Sequence, residues 1–148
     1  MRDSLVARMG AGNMEDLTAR DLLEAEIGRA EGRATEAADL LQIAIGRNAN
    51  YSAYALESLA DALADKGDLD GAAARYEELL RERGRGWEAQ EGWLLAPYRL
   101  AIIAEARADT TGALRWYNRL LEQWKTGDST IVEVIQARKR IAALSGPG

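Results

Sequence analysis

One helix hairpin occurs twice in this chain, and its recurrence constrains the fold more than any other feature. The stretch 59–80, LADALADKGDLDGAAARYEELL, places apolar residues at helical spacing on both sides of Gly67 and Asp68. This pair predicts a turn, because glycine commonly ends a helix and aspartate commonly caps the next one. The pattern returns later in the chain, with Ala72 and Ala113 separated by 41 residues. The sequence therefore predicts antiparallel helix pairs.

Small and large apolar residues alternate within this hairpin. Ala60 and Ala72 leave room for two helix backbones to approach, while Tyr76 and Leu79 fill the space beside them. The matched positions at the offset of 41 are Leu59-Ala60 with Leu100-Ala101, Asp68 with Asp109, Ala72 with Ala113, Tyr76 with Tyr117, and Leu79-Leu80 with Leu120-Leu121. Two units with the same sizes at the same positions predict a repeat protein.

This arrangement of a small residue in the first helix, and an alanine and an aromatic in the second, resembles the tetratricopeptide repeat. The family period is about 34 residues, and Ala37 precedes Ala72 by 35. The offset of 41 leaves about seven extra residues, or two helical turns. We place this extension around 87–93. Pro97 should then either kink one long helix or start a shorter helix after a separate turn.

The resemblance implies an all-α fold, a right-handed superhelical stack of three antiparallel helix hairpins closed by a C-terminal capping helix. Thr130 and Glu133 have capping-box spacing at the start of that last helix. Its basic triplet, 138–140, is interpreted as a solvated face. The expected segments are a flexible N-terminus or remnant helix at 1–13, repeats at about 18–51, 53–86 and 87–127 in one domain spanning 14–145, the capping helix at 129–145, and a disordered tail at 146–148.

Composition and charge exclude several classes of function. The net charge is −5 and no run of basic residues stands out, which disfavours nucleic-acid binding. The absence of cysteine and histidine excludes disulfides, thiolate or imidazole metal sites, and Ser-His-Asp catalysis. Without a secretory signal or an apolar run of membrane-spanning length, we expect a cytoplasmic protein and no membrane partner. The excess of arginine over lysine hints at a bacterial source.

Proteins similar to this one are usually non-catalytic scaffolds, so the resemblance implies that the chain is not an enzyme and needs no cofactor. They bind a peptide or another protein on the concave surface lined by the first helix of each hairpin. The chain could be the C-terminal end of a longer array. The alternatives are a structural or homo-oligomerising segment and, less favoured, a carboxylate-based, metal-dependent enzyme.

Acidic residues occupy one face of the first helix in the central hairpin. Glu57, Asp61 and Asp65 follow one another at a spacing of four, so their side chains lie side by side. They could hold a divalent metal, act as an acid and base pair, or recognise a basic ligand. The simpler interpretation is a solvated acidic face. The four tryptophans lie in or beside the third hairpin. We interpret them as core residues rather than as a platform on which bases or sugars stack.

The predicted groove consists of first-helix residues that point away from the packing face of their own hairpin. From the central hairpin come Tyr54, Glu57, Asp61 and Asp65; from the third come Leu95, Tyr98, Ile102 and Glu105; and from the first come Glu26 and Arg29. One wall is acidic and the next is apolar and aromatic. Such a groove suits a peptide that presents lysine or arginine beside a bulky apolar anchor.

Overall fold

The chain is α-helical throughout the part that the structure describes. A computed structural model describes residues 14–47, 53–81 and 90–146, and these contain seven helices and no strand. The helices are α1 (Met14–Ala30), α2 (Ala34–Arg47), α3 (Ala53–Asp65), α4 (Leu69–Arg81), α5 (Gln90–Ala106), α6 (Thr110–Gln123) and α7 (Val132–Leu144). The all-α prediction is confirmed for these residues. The predictions for residues 1–13, for Trp87 and for the last two residues of the predicted tail lie outside them.

The chain forms two compact units, residues 1–75 and 76–148, with the boundary inside α4. In the first unit, α1 packs against α2, α2 packs against α3, and α1 also contacts α3. The second unit repeats this order, since α5 packs on α6, α6 packs on α7, and α5 contacts α7. Within each unit, three consecutive helices, α1 to α3 or α5 to α7, therefore pack on one another in chain order.

Small residues line the buried faces, as the repeated pattern predicts. Ala60, Ala72, Ala101 and Ala113 have no exposed surface, and Ala37 is buried too. An alanine side chain is small enough to let two helix backbones approach closely. The short connections between these antiparallel helices also keep the helices close together. The larger buried side chains beside them are Leu41, Leu56, Leu59, Tyr76, Leu79, Leu100, Tyr117 and Leu120.

The turn between α3 and α4 has a defined hydrogen-bond pattern. The amide of Asp68 donates to the carbonyl of Leu63 at 2.8 Å, and the amide of Gly67 donates to that of Ala64 at 2.9 Å. Gly67 has φ +86°, a left-handed conformation that glycine adopts without a steric cost. These bonds form a Schellman motif. Asp68 then caps α4 by accepting a hydrogen bond from the amide of Gly71 at 2.9 Å.

The same motif ends α1 and α5. Gly32 and Ala108 occupy the position equivalent to Gly67, with φ +78° and +58°. In each turn, the amides of this residue and of the next one donate the same two backbone hydrogen bonds. Asp109 repeats the aspartate cap, accepting from the amide of Gly112 at 2.8 Å. One turn geometry therefore recurs in three hairpins, at the spacing that the sequence predicts.

Ala108 is the one described non-glycine residue with a positive φ, and replacing it with glycine should stabilise the protein. An L side chain in this conformation costs roughly 1–2 kcal/mol, part of which the greater freedom of glycine in the unfolded chain offsets. We expect Ala108→Gly to raise the free energy of unfolding by about 1 kcal/mol in urea denaturation. Gly67→Ala is the reciprocal control and should lower it. A lower stability for Ala108→Gly would contradict this assignment of strain.

Helix α5 passes through Pro97 without a break. The alternative in which this proline starts a shorter helix is therefore wrong. With 17 residues against the 13 of α3, α5 carries part of the predicted extension within the helix itself. Pro97 is fully buried.

The predicted capping box at the start of α7 is not formed. Ile131 is the N-cap residue, and no side chain caps the helix. Instead, the hydroxyl of Thr130 donates to Asp128 Oδ1 at 2.6 Å, and its amide donates to the same oxygen at 2.8 Å. These hydrogen bonds lower the pKa of Asp128. Thr130 is thus engaged with the preceding turn, which leaves Glu133 without its capping partner.

None of the helices between residues 14 and 146 that the structure describes combines the length and the apolar character needed to cross a membrane.

Candidate interaction surface

Arg29 lies at the centre of a charged cluster formed by α1 and α3, the Arg29 cluster. Its Nε donates to Asp65 Oδ2 at 3.0 Å, and its Nη1 lies 3.2 Å from Asp61 Oδ2. Nη1 also donates to Glu26 Oε2 at 3.1 Å, one turn earlier on α1. One guanidinium therefore joins three of the carboxylates that the sequence placed in the predicted groove.

The Arg29 cluster is partly withdrawn from water. The side chains of Arg29 and Asp61 are 18% and 23% exposed. Burial alone would lower the pKa of Arg29, but the hydrogen bond to Asp65 and the charges of Asp61 and Glu26 outweigh it and raise that pKa. Solvent screens these ion pairs less than it would at an open surface, and they link α1 to α3.

The remaining residues that the sequence placed on this part of the groove lie on α3. Tyr54 is exposed in the first turn of α3, and Glu57 is half-buried one turn later. The Arg29 cluster contains three carboxylates and one guanidinium. The first helices of the first unit therefore offer an exposed aromatic ring and, two turns further along α3, a cluster with net negative charge.

A second polar cluster, the Glu105 cluster, joins α5, α6 and α7. The hydroxyl of Tyr117 donates to Glu105 Oε1 at 2.6 Å. Arg140 forms a bidentate pair with Glu105, and its Nε lies 3.0 and 3.1 Å from the two carboxylate oxygens. The hydrogen bond from Arg140 lowers the pKa of Glu105, and that from Tyr117 adds to this effect against partial burial. Burial and the neighbouring carboxylate both raise the pKa of Tyr117.

Leu95 and Tyr98, predicted as groove residues on α5, are half-buried and pack against the core of the second unit. The ring centroids of Tyr98 and Tyr117 are 6.0 Å apart, with the rings tilted by 59°. Ile102, by contrast, is 41% exposed. Of the four α5 residues assigned to the groove, Ile102 is therefore the one that offers a large apolar side chain to a partner.

The ion pair of Glu105 should make stability depend on pH. A carboxylate whose pKa is lowered by folding stabilises the native state above its ordinary pKa, and this contribution is lost as pH falls through the lowered value. We expect Glu105→Gln to lower the free energy of unfolding at pH 7. The difference from the parent should shrink as the pH falls below the ordinary value, near 4.5.

Urea denaturation across this pH range measures the effect of Glu105→Gln. Glu122→Gln is the control, because Glu122 pairs with Lys125 at 3.5 Å on the open surface, where an ion pair contributes little. The control should behave like the parent at every pH. A difference for Glu105→Gln that stays constant down to pH 2 would contradict the ion-pair explanation.

Sequence reasoning missed two features of the second unit. Arg140 belongs to the triplet interpreted as a solvated face; Arg138 and Lys139 are exposed, but Arg140 pairs with Glu105. Arg115 and Arg119 both lie over the ring of Trp116. The spacing of three residues from Trp116 to Arg119 could have suggested the second contact, whereas nothing in the spacing indicates the first.

Trp116 and Trp124 pack against the core of the second unit, as predicted. The buried cluster that they contact includes Ala137 of α7, so α7 is part of the same core. Between residues 14 and 146, the described side chains include no group of three or more acidic residues arranged to hold a metal ion.

No model of a known protein family matches this chain. Comparison with curated proteins finds no match either. The resemblance to tetratricopeptide repeats accordingly stays a prediction from the residue pattern.

Proposed function

We propose that this protein is a non-catalytic interaction scaffold of the tetratricopeptide type, which binds a peptide or a partner domain through the first helices of its hairpins. The proposal includes the finer fold prediction, a right-handed superhelical stack of the hairpins. Three turns with the same Schellman geometry, at Gly32, Gly67 and Ala108, support a repeated hairpin. The expected partner is a protein or peptide.

The observation that carries the proposal is Ile102, an exposed apolar residue on a rigid helix. One turn after it, Glu105 is fixed by Tyr117 and Arg140. Tyr98, one turn before it, packs against Tyr117. Because Tyr98 and Glu105 already contact other side chains, they lose little conformational entropy when a partner binds. An exposed apolar side chain between them is suited to anchor that partner.

Charge supports a basic partner for the surface on α3. Tyr54 supplies an exposed aromatic ring on α3, and the Arg29 cluster, which begins two turns further along this helix at Asp61, keeps an excess of carboxylates. A lysine or arginine of the partner would orient it there, while apolar contacts supply most of the affinity. Because Asp61 and Asp65 already pair with Arg29, we expect charge to affect the rate of association more than the lifetime of the complex.

Selection of peptides from a random phage-displayed library against the immobilised protein tests this proposal. We expect a class of binders that combine lysine or arginine with a large apolar residue. Ile102→Asp should weaken these binders by at least about tenfold, since it places a charge where an apolar anchor should be buried. Ile43→Asp is the matched control, because Ile43 is 50% exposed on α2, a second helix.

Binding of the basic class should be unchanged by Ile43→Asp. Thermal unfolding of both variants separates a lost contact from a lost fold. If no basic and apolar class is selected, or if its members bind the Ile102→Asp variant as tightly as the parent, the proposed surface is wrong.

Self-association through α7 is a second candidate function, favoured by two exposed residues. Val132 and Ile135 lie one turn apart on α7 and are both exposed. Apolar side chains at this spacing could pack against a second copy. Light scattering over a range of concentrations tests this. A mass that rises with concentration in the parent but not in Val132→Glu would support it, whereas a constant monomer mass would remove it.

A further inference from the structure

A cleft lined by α4 and α6 lies within the second unit and is separate from the predicted groove. Its volume is about 460 Å³, and it is lined by Glu77, Leu80, Arg81, Arg115, Trp116 and Arg119. It is open to solvent rather than enclosed. We call it the arginine cleft. Three guanidiniums and one carboxylate give it positive charge in a protein whose net charge is −5.

The floor of the arginine cleft is held in place by the fold. Trp116 packs against the buried core of the second unit, and Leu80 is itself buried. The indole Nε1 of Trp93, on α5, donates to the carbonyl of Leu80 at 3.3 Å and fixes the end of α4. An apolar surface whose position is already fixed can bind a partner without first being ordered.

Two arginines are positioned over that floor. The guanidinium carbons of Arg115 and Arg119 lie 5.2 and 5.3 Å from the centre of the Trp116 ring. Stacking on an aromatic ring orients a guanidinium and leaves its N–H groups available for a planar carboxylate. In the described part of the chain, neither arginine pairs with an acidic side chain. Arg29, Arg33 and Arg140, in contrast, are each paired with carboxylates.

We propose that the arginine cleft is a second binding site, which takes an acidic peptide segment carrying aspartate or glutamate beside an apolar side chain. The apolar side chain lies on Trp116 and Leu80, and the carboxylates accept bidentate hydrogen bonds from Arg115 and Arg119. Such a partner carries the charge opposite to that expected for the predicted groove. The site is therefore independent of the function proposed above.

Two features favour a peptide over other anions. An open cleft leaves much of a small molecule in water, whereas small-molecule sites usually cover most of their ligand; a peptide gains further contacts beyond the cleft. A nucleic acid would bring many phosphates to a protein with a net charge of −5, and long-range repulsion opposes that. A short acidic segment avoids both problems.

Fluorescence anisotropy with the labelled peptide (Glu-Glu-Leu)4 tests the proposal on the full chain. We expect the double variant Arg115→Gln/Arg119→Gln to bind this peptide about tenfold more weakly than the parent, because glutamine keeps the helix but removes both charges. Arg99→Gln/Arg138→Gln is the matched control, since it removes two exposed arginines from α5 and α7. The control should bind like the parent.

Further probes separate the alternatives. The peptide (Gln-Gln-Leu)4 should bind far more weakly than the acidic one, and a labelled oligothymidylate should not compete with it. Failure of (Glu-Glu-Leu)4 to bind at about 1 mM would overturn the proposal. Equal weakening by the two double variants would overturn it too, because it would indicate a general charge effect. Displacement by oligothymidylate that depends on Arg115 and Arg119 would assign the cleft to phosphate instead.

Discussion

Replacing Leu120 with alanine should lower the free energy of unfolding by about 2–5 kcal/mol, the usual cost of a leucine truncation in a core. The Leu120 side chain is fully buried in the cluster that joins α5, α6 and α7. Ala101 and Ala113 line the same cluster. Such small neighbours, on rigid helices, cannot move far to fill the space, so we expect a cost in the upper part of this range.

Urea denaturation of the full chain measures the effect of Leu120→Ala, and Leu114→Ala is its control. Leu114 lies on the same helix but is half-buried, so its truncation should cost clearly less. Equal losses for the two variants would contradict the placement of Leu120 in the core. Binding of a partner through Ile102 should persist in Leu120→Ala under conditions where the variant remains folded.

The second large effect is expected at Arg29. Replacement by methionine keeps the aliphatic part of the side chain but removes the ion pairs to Asp61, Asp65 and Glu26. We expect the free energy of unfolding to fall by about 1–2 kcal/mol, between the effect of an open surface pair and that of a fully buried one. Screening by salt should reduce the loss only in part, because Arg29 is 18% exposed.

Arg33→Met is the control for Arg29→Met. Arg33 also pairs with two carboxylates, those of Glu31 and Glu36, but these are 51% and 69% exposed. Its loss should therefore have little effect on stability, and high salt should remove what effect there is. If Arg29→Met and Arg33→Met lower the free energy of unfolding equally, the ion pairs of the Arg29 cluster contribute no more to stability than those at the open surface.

Local features of the fold were predictable from the sequence. Glycine and aspartate between two apolar stripes predicted the turns, and Gly67 and Asp68 form such a turn with a left-handed glycine and a capping carboxylate. In the third hairpin, an alanine, Ala108, replaces the turn glycine. The aspartate that follows it, Asp109, still indicated where this turn lies. These predictions succeed because each depends on a few residues close in sequence.

The pairing of charges could not be predicted in the same way. The sequence placed Arg29 and Asp61 on one groove, yet the hydrogen bonds depend on which rotamers the packing of α1 against α3 allows. Arg140 lies 35 residues from Glu105 along the chain, and nothing local to either residue indicates the pair. The failed capping box at Thr130 is similar, since Asp128 competes for the same side chain.

The exposed isoleucines Ile102 and Ile43 show most directly whether partners bind at the first helices of the hairpins. In NMR spectra of the protein with labelled isoleucine methyl groups, a titration with a selected basic and apolar peptide should shift the signal of Ile102. The signal of Ile43, which is at least as exposed on α2, should stay in place. A shift of Ile43 without a shift of Ile102 would contradict binding at the first helices.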